Sequence, residues 1–383
     1  MTDKRTDLLG KTKEELTSFV RAIGEPAYRG TQLFHWMYAR DAASFGVMTD
    51  LGKEFRSRLD ASAQIGGPVL RKSRRSERDG TAKLLFTLAD GMEVESVLIP
   101  PSSSVPDRDA DDEGRLTLCV STQAGCPLDC AFCATATMGF RRNLTPGEIV
   151  GQVLAARRET GKKITNVVFM GMGEPLLNYD AVMRSTELLI AGAGIAARRI
   201  TVSTAGRVKE IRRMADENRK VKLAVSLHSA VDETRSLLMP INRKFGLPAL
   251  MDAVEYYYRK TKQGLTYEMI FFQGVNDTPA DVRRLIALAR RVPSKINIIP
   301  FHSIAFTRPE GFAASLAPSA RLAEIADELR GAHLTVMVRT SAGEDIEAAC
   351  GQLALGGEAL PRGGHAGAAR QAGRGTHTHS TKV

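Results

Sequence analysis

The chain has 383 residues, a formal net charge of +10 from 53 Lys and Arg against 43 Asp and Glu, and 43% hydrophobic residues. This length implies two to three domains, or one barrel with an appendage. The absence of any run of 18 or more apolar residues argues against a membrane-spanning helix. Five cysteines, an odd count, argue against a secreted disulfide framework. The N-terminus lacks the apolar stretch of a secretion signal, so a cytoplasmic protein is expected, and the excess positive charge points to an anionic partner such as nucleic acid.

Taken in order, Leu16, Phe19, Val20 and Ile23 recur at helical spacing, and Gly24-Glu25-Pro26 ends that helix. A second helix is expected over 28–40, with Leu33, Phe34, Trp36 and Met37 on its apolar stripe. Residues 71–78 form a dense basic run before the turn signal Asp79-Gly80. It reads either as a solvated face or, given the net charge, as a phosphate contact. Strands over 82–88 and 92–99 are joined at Asp90-Gly91, a hairpin signal. Alternation places Glu93, Glu95, Val97 and Ile99 on one face, so Glu95 is either at a polar rim or functionally placed. Residues 101–114 are polar and aperiodic and mark a boundary.

Residues 115–345 alternate strand and helix. Apolar runs at 116–121, 166–170, 199–203, 222–227, 265–272, 295–300 and 333–338 are separated by helical patterns. Thr145-Pro146-Gly147-Glu148 carries the capping-box pattern with proline at the first helical position, and Thr278-Pro279 opens another helix. Repeated βα units predict an α/β fold with a parallel sheet, either a barrel or a doubly wound one. Four segments follow: an N-terminal helical domain (1–80), a candidate for contact with RNA given the net charge, a β-hairpin and linker (81–114), a core (115–350), and a Gly-, Ala- and basic-rich tail (351–383) expected to be disordered.

Cys126, Cys130 and Cys133 lie at C-x3-C-x2-C spacing in one short loop. Thiolates select zinc, copper(I) or iron–sulfur. A structural zinc site takes four protein ligands, as does an ordinary [4Fe–4S] cluster; here no nearby Cys or His offers an obvious fourth. Elsewhere, Gly171-Met172-Gly173-Glu174-Pro175 follows a strand, as do Ser203 and Ser226-Leu227-His228. Glycine there permits close backbone approach to a ligand, or simply a sharp turn. A lone His such as His228 is structural or a ligand, and a free Cys such as Cys350 is a small buried hydrophobe or a reactive thiol.

The three-cysteine loop resembles that of the radical S-adenosylmethionine (SAM) enzymes, in which a [4Fe–4S] cluster held by three cysteines keeps one iron open for SAM. Residues 119–144, and separate motifs spread over roughly 10–355, are similar to the RlmN-type RNA methyltransferases. The resemblance implies a partial (β/α)6 barrel with its site at the C-terminal strand ends. It implies Cys126, Cys130 and Cys133 as cluster ligands. Gly173, Glu174, Ser203, Ser226, Leu227, His228 and His302 would contact SAM; His302 stands where the family often has asparagine. It also assigns Cys350 as the cysteine that becomes methylated, Cys119 as a second reactive cysteine, and Glu95 as proton acceptor.

The implied reaction is methylation at carbon 2 of an adenine in 23S rRNA and in tRNA. One SAM methylates Cys350. A second yields the 5′-deoxyadenosyl radical, which takes hydrogen from that methyl group. The carbon radical adds to the base, and Cys119 then forms a disulfide with Cys350 to free the product. An electron donor such as a flavodoxin system is implied, and a monomer is expected. Arg141, Arg142 and the 71–78 run are candidates for phosphate contacts. Alternatives are methylation at carbon 8 of the same adenine, a non-catalytic zinc RNA-binding module, and a glycyl-radical activating enzyme, which would not need Cys119 and Cys350.

Overall fold

The computed structural model describes residues 5–101 and 114–355; most of the expected linker and tail lies outside them. Its frame is one ten-stranded sheet. The strands are β1 (Val69–Arg75), β2 (Ala82–Thr87), β3 (Glu93–Ile99), β4 (Thr117–Cys119), β5 (Asn166–Phe169), β6 (Ile200–Thr204), β7 (Lys222–Ser226), β8 (Leu265–Met269), β9 (Ser294–Ile298) and β10 (Thr335–Val338). They neighbour one another in chain order. From β4 to β10 every pairing is parallel; β1 to β4 pair antiparallel. Strands β4–β9 are the six expected of the partial barrel, and β10 adds a seventh.

Helices make the parallel crossovers: α4 (Pro146–Thr160), α5 (Tyr179–Ala191), α6 (Val208–Asp216), α7 (Asp232–Leu238), α8 (Leu247–Thr261), α9 (Pro279–Ala289) and α10 (Leu322–Gly331). Both expected starts are present: Thr145 and Thr278 each accept a hydrogen bond from the backbone N–H three residues on, and Glu148 and Asp281 close the reciprocal bonds. These caps satisfy donors that the first helical turn leaves unpaired. The buried strands are rich in Val, Ile and Leu, including Val167, Val202, Val225 and Ile296, as a sheet covered on both faces requires.

The expected hairpin is present as β2 and β3, and it continues the core sheet through the pairing of Val97 with Cys119. The basic run joins the same sheet. Most of it forms β1, the sheet edge, where Arg71, Lys72, Arg74 and Arg75 are exposed. Its charges hid the strand from hydrophobic periodicity, and they suit an edge that must not pair with another chain. The N-terminal helices α1 (Lys13–Ala22), α2 (Tyr28–Phe34) and α3 (Lys53–Ser62) pack through Leu16, Val20, Leu33, Phe55 and Leu59. The second expected helix is α-helical only to Phe34 and continues as one wider turn over His35–Ala39. Arg157 joins this region to α4 through Asp41 at 3.1 Å.

Candidate active site

A cleft opens at the C-terminal ends of the parallel strands, with about 810 Å³ of empty space counted out to its mouth. Residues at the ends of five adjacent strands, β5 to β9, reach it: Gly173 and Glu174, Ser203, Ser226 and His228, Glu268, and Ile299. A flat sheet would not bring them to one space, so the sheet must be rolled.

Cys126, Cys130 and Cys133 line the opposite wall. Their loop hangs from a short antiparallel pair, Gln123–Gly125 with Phe140–Asn143. The fit there is close: a Cβ on Gly125, whose φ is +76°, would lie 1.8 Å from the Gly139 carbonyl oxygen. The loop is pinned by the Cys126 N–H on Gly139 O (3.1 Å) and the Ala131 N–H on Leu238 O (2.9 Å). Phe132 packs edge-on against the His228 ring at 4.5 Å and faces Phe272 at 5.9 Å. Burial pushes the Cys126 thiol up to about 12 and Cys130 well above its ordinary value. Among the described residues no three donors converge as a single-ion site. The three thiols line one cleft, near enough that a charge on Cys133 acts on both Cys126 and Cys130.

Glu174 is buried, and its two oxygens accept the N–H groups of Leu176 (3.0 Å) and Ala205 (2.8 Å). Burial raises its pKa, against those bonds. Gly173, at φ +99°, sits so close to Gln123 that a Cβ would meet its side chain at 2.6 Å. His228 is buried and neutral: burial first, then the Arg235 charge, lowers its pKa to about 3. Its Nδ1 accepts the Ile270 N–H at 3.2 Å, which leaves the proton on Nε2, as assigned from this network. The Leu227 side chain is fully buried in the core, so only its backbone faces the neighbouring strand, its N–H bonding Glu268 O at 3.0 Å. His302 is buried outside the cleft lining. Its Nδ1 has no hydrogen-bond partner, with Glu344 Oε1 at 3.4 Å.

Cys119 and Cys350 come together from opposite ends of the core. Cys119 is buried on β4, while Cys350 is exposed at the cleft. Burial pushes Cys119 up to about 12, and the charge of Cys350 adds to it. Although the Cys350 side chain opens to the cleft, the protein packed around its thiol pushes it up to about 11, with Arg339 opposing and Glu268 adding. The Cys350 segment is tied to the three-cysteine loop by the Ala134 N–H on Gly351 O (2.7 Å) and Thr135 Oγ1 on Leu353 O (2.6 Å). Glu95 lies on the same sheet face as Val97 and Cys119, yet it is buried outside the cleft lining.

The sequence reading missed Glu268 and Arg339. Glu268 Oε2 accepts from Asn297 (2.8 Å), and its Oε1 lies 3.4 Å from Arg339 Nη2. Alternation along 265–269 puts Glu268 with Thr266, so a carboxylate inside an otherwise apolar run was the available signal. Arg142 is corrected as a free phosphate contact, since it is held by Asp90 (2.6 Å) and by both oxygens of Glu148 (2.8 and 2.9 Å). Arg141 remains exposed.

Residues 120–289 match the radical SAM superfamily, and residues 6–65 match the ribosomal RNA large subunit methyltransferase N-terminal domain. The chain is 42% identical over 364 residues to a probable dual-specificity RNA methyltransferase RlmN of Salinibacter ruber, covering 93% of this chain and 96% of that one. It is 43% identical over 353 residues to the dual-specificity RNA methyltransferase RlmN of Geobacter sulfurreducens, covering 92% of each. A crystal structure of a radical SAM methyltransferase from Sphaerobacter thermophilus superposes with a TM-score of 0.82 at 40% identity, covering 91% of this chain and 99% of that one. The superfamily implies SAM and a [4Fe–4S] cluster as cofactors. The chain belongs to the RlmN family of radical SAM RNA methyltransferases.

Proposed function

We propose that this enzyme methylates carbon 2 of an adenine in 23S rRNA, and of one in tRNA, consuming two SAM per methyl group. The observation that carries the reading is the meeting of Cys119 and Cys350 beside the three-cysteine loop, close enough that a charge on Cys350 opposes ionisation of Cys119 and that one cation, Arg339, acts on both. A radical activator that only generates a radical has no use for such a pair.

Cys126, Cys130 and Cys133 would hold the cluster: three soft thiol donors line the same cleft. Gly173, Glu174, Ser203, Ser226 and His228 line the rest and would hold SAM, with the Leu227 backbone and His302 behind them. When bound, the cluster and SAM supply a 5′-deoxyadenosyl radical able to take hydrogen from a methyl group.

Carbon 2 of adenine bears no acidic hydrogen and is electron-poor, so it cannot attack the electrophilic methyl of SAM. Cys350, exposed at the cleft, takes the methyl group as a thiolate. Once that carbon is joined to the base, Glu95 removes the ring proton, and the unpaired electron left on the adduct would pass to a one-electron acceptor, a role that the oxidised cluster would supply. Cys119 then attacks the Cys350 sulfur. The S–S bond forms as the bond between that sulfur and the added carbon breaks, and its electron pair leaves with the carbon, which takes up a proton. The adenine must be unstacked to enter. The exposed cations of β1 and Arg141 would meet phosphates. A flavodoxin-class donor, a cytoplasmic setting and a monomer complete the reading; no helix among the described residues is long and apolar enough to cross a membrane.

Mass analysis of nucleosides from rRNA and tRNA of a deletion strain, before and after complementation, tests it. Loss and return of 2-methyladenosine is expected. Appearance of 8-methyladenosine instead would overturn the assignment of the carbon, and an unchanged nucleoside profile would overturn the function.

A further inference from the structure

Lys83 is a buried lysine that none of the roles above uses. Strand register explains where it points. Lys83 on β2 pairs with Val97 on β3, and Val97 pairs with Cys119 on β4. Paired residues share a sheet face. Lys83, Val97 and Cys119 therefore stand in one row across three strands, with Glu95 two residues along on the same face. A lysine is almost never fully buried without a partner. Here the side chains of Lys83 and Glu95 are only 9% and 3% exposed, and Lys83 Nζ lies 3.0 Å from Glu95 Oε1.

The same ammonium donates to the carbonyl oxygen of Glu347 at 3.1 Å, three residues before Cys350. The other Glu95 oxygen accepts the Leu355 N–H at 3.3 Å. Nearby, Asp79 Oδ2 accepts the Gly343 N–H at 2.8 Å. The loop that carries Cys350 is thus clamped on both sides of the cysteine by the turn before β2, by β2 itself and by β3.

We propose that Lys83 is a positioning residue, which keeps Glu95 as an ionised base and fastens the Cys350 loop against it. This rests on the reading of Glu95 as the proton acceptor. Burial raises the pKa of Glu95 overall, and Lys83 is the charged side chain that most opposes that rise. The other groups around it are the N–H groups of Leu355 and Ala354, Ser121, whose hydroxyl donates to the Glu95 carbonyl at 2.5 Å, and Met172, whose sulfur accepts the Glu95 N–H at 3.4 Å. Removing the ammonium leaves a carboxylate that ionises only at higher pH.

The test uses the reconstituted full-length enzyme on rRNA from a deletion strain, with rates measured across pH 6–10. Lys83→Gln keeps a donor and loses the charge. It is expected to move the acid limb of the rate profile upward by about one pH unit or more, the size of an ion-pair effect, with a loss that grows toward low pH and reaches roughly tenfold or more below the limb. Lys83→Arg is expected to leave the limb where it is. A loss equal at every pH would overturn the role in setting the charge of Glu95.

The clamp is read separately by hydrogen exchange on the full chain without substrate. Lys83→Gln and Glu95→Gln should each speed exchange of the amides over 343–355. Unchanged exchange in both would overturn the clamp, and the Glu95→Gln variant serves should Lys83→Gln fail to fold. A wild-type enzyme that forms no methyladenosine would instead count against the functional reading, whatever the exchange data show.

Discussion

Glu174 spans two strand ends: leaving β5, it accepts the Ala205 N–H beyond β6 through Oε2 and the Leu176 N–H through Oε1. A carboxylate is an acceptor at both oxygens, whereas glutamine is an acceptor at one and a donor at the other. Glu174→Gln therefore sets an NH2 group against one backbone N–H. Leaving one buried donor unpaired costs about 1–3 kcal/mol. The expected outcome is a lower thermal midpoint together with weaker SAM binding by the reconstituted protein, measured by calorimetry. Unaltered affinity and midpoint would show that neither oxygen matters.

Much of this arrangement was legible in the chain. Strands β4 to β9 announced themselves because buried parallel strands are short apolar runs, the exposed edge strand β10 because it is an apolar run as well, and the helix starts because Thr145 and Thr278 head capping boxes. Other features depend on sequence separations that no local pattern reports. Lys83 and Glu95 meet only through strand register, and Cys119 and Cys350 only when the sheet has rolled. Edge strand β1 was hidden by its arginines. The capture of Arg142 by Asp90 and Glu148 was invisible because a charge pattern does not state its partners.

Cys119→Ala should separate two events assigned to the cysteine pair. Attachment of the carbon from Cys350 to the base needs no Cys119, whereas release does. The variant is expected to accumulate protein covalently joined to RNA through Cys350, seen as a shifted band that nuclease trims and as a modified 350-containing peptide in mass spectrometry. Free methylated RNA at the wild-type rate would refute the release role. Cys350→Ala, by contrast, is expected to give neither adduct nor product while retaining the iron–sulfur absorbance.

The thiol at position 350 offers a pH test that needs no cofactor. Burial holds its pKa up at about 11, and Arg339 opposes that rise. Only the thiolate is nucleophilic. Below the pKa its fraction grows about tenfold per pH unit, so alkylation of Cys350 by iodoacetamide in cluster-free protein should climb by that factor between pH 7 and 9 without levelling off. Arg339→Met removes the opposing cation, raises the pKa further, and is expected to slow labelling at each pH in that range. A plateau below pH 8 in the wild type would contradict this electrostatic picture.

Arg235 makes the strongest prediction about stability. Its side chain is fully buried behind the cleft. Burial lowers its pKa to about 10, so it is still charged at neutral pH. The guanidinium donates to Leu227 O (3.1 Å), Ser226 O (3.0 Å), Ala205 O (2.7 Å) and Asn242 Oδ1 (2.6 Å). Three of these acceptors belong to the segments ending β6 and β7, so one planar fork fixes the spacing of two strand ends that face the ligand space. Lysine keeps the charge but offers its donors from a single point, which leaves at least one carbonyl unpaired and the fork's volume partly empty. Arg235→Lys is expected to cost about 2–4 kcal/mol, seen as a thermal midpoint lower by roughly 3–5 °C in the cluster-free protein. SAM affinity in the reconstituted enzyme should fall with it, because Ser226 and Ala205 line the cleft. A variant that melts with the wild type would mean that the four bonds are replaced by others at no cost.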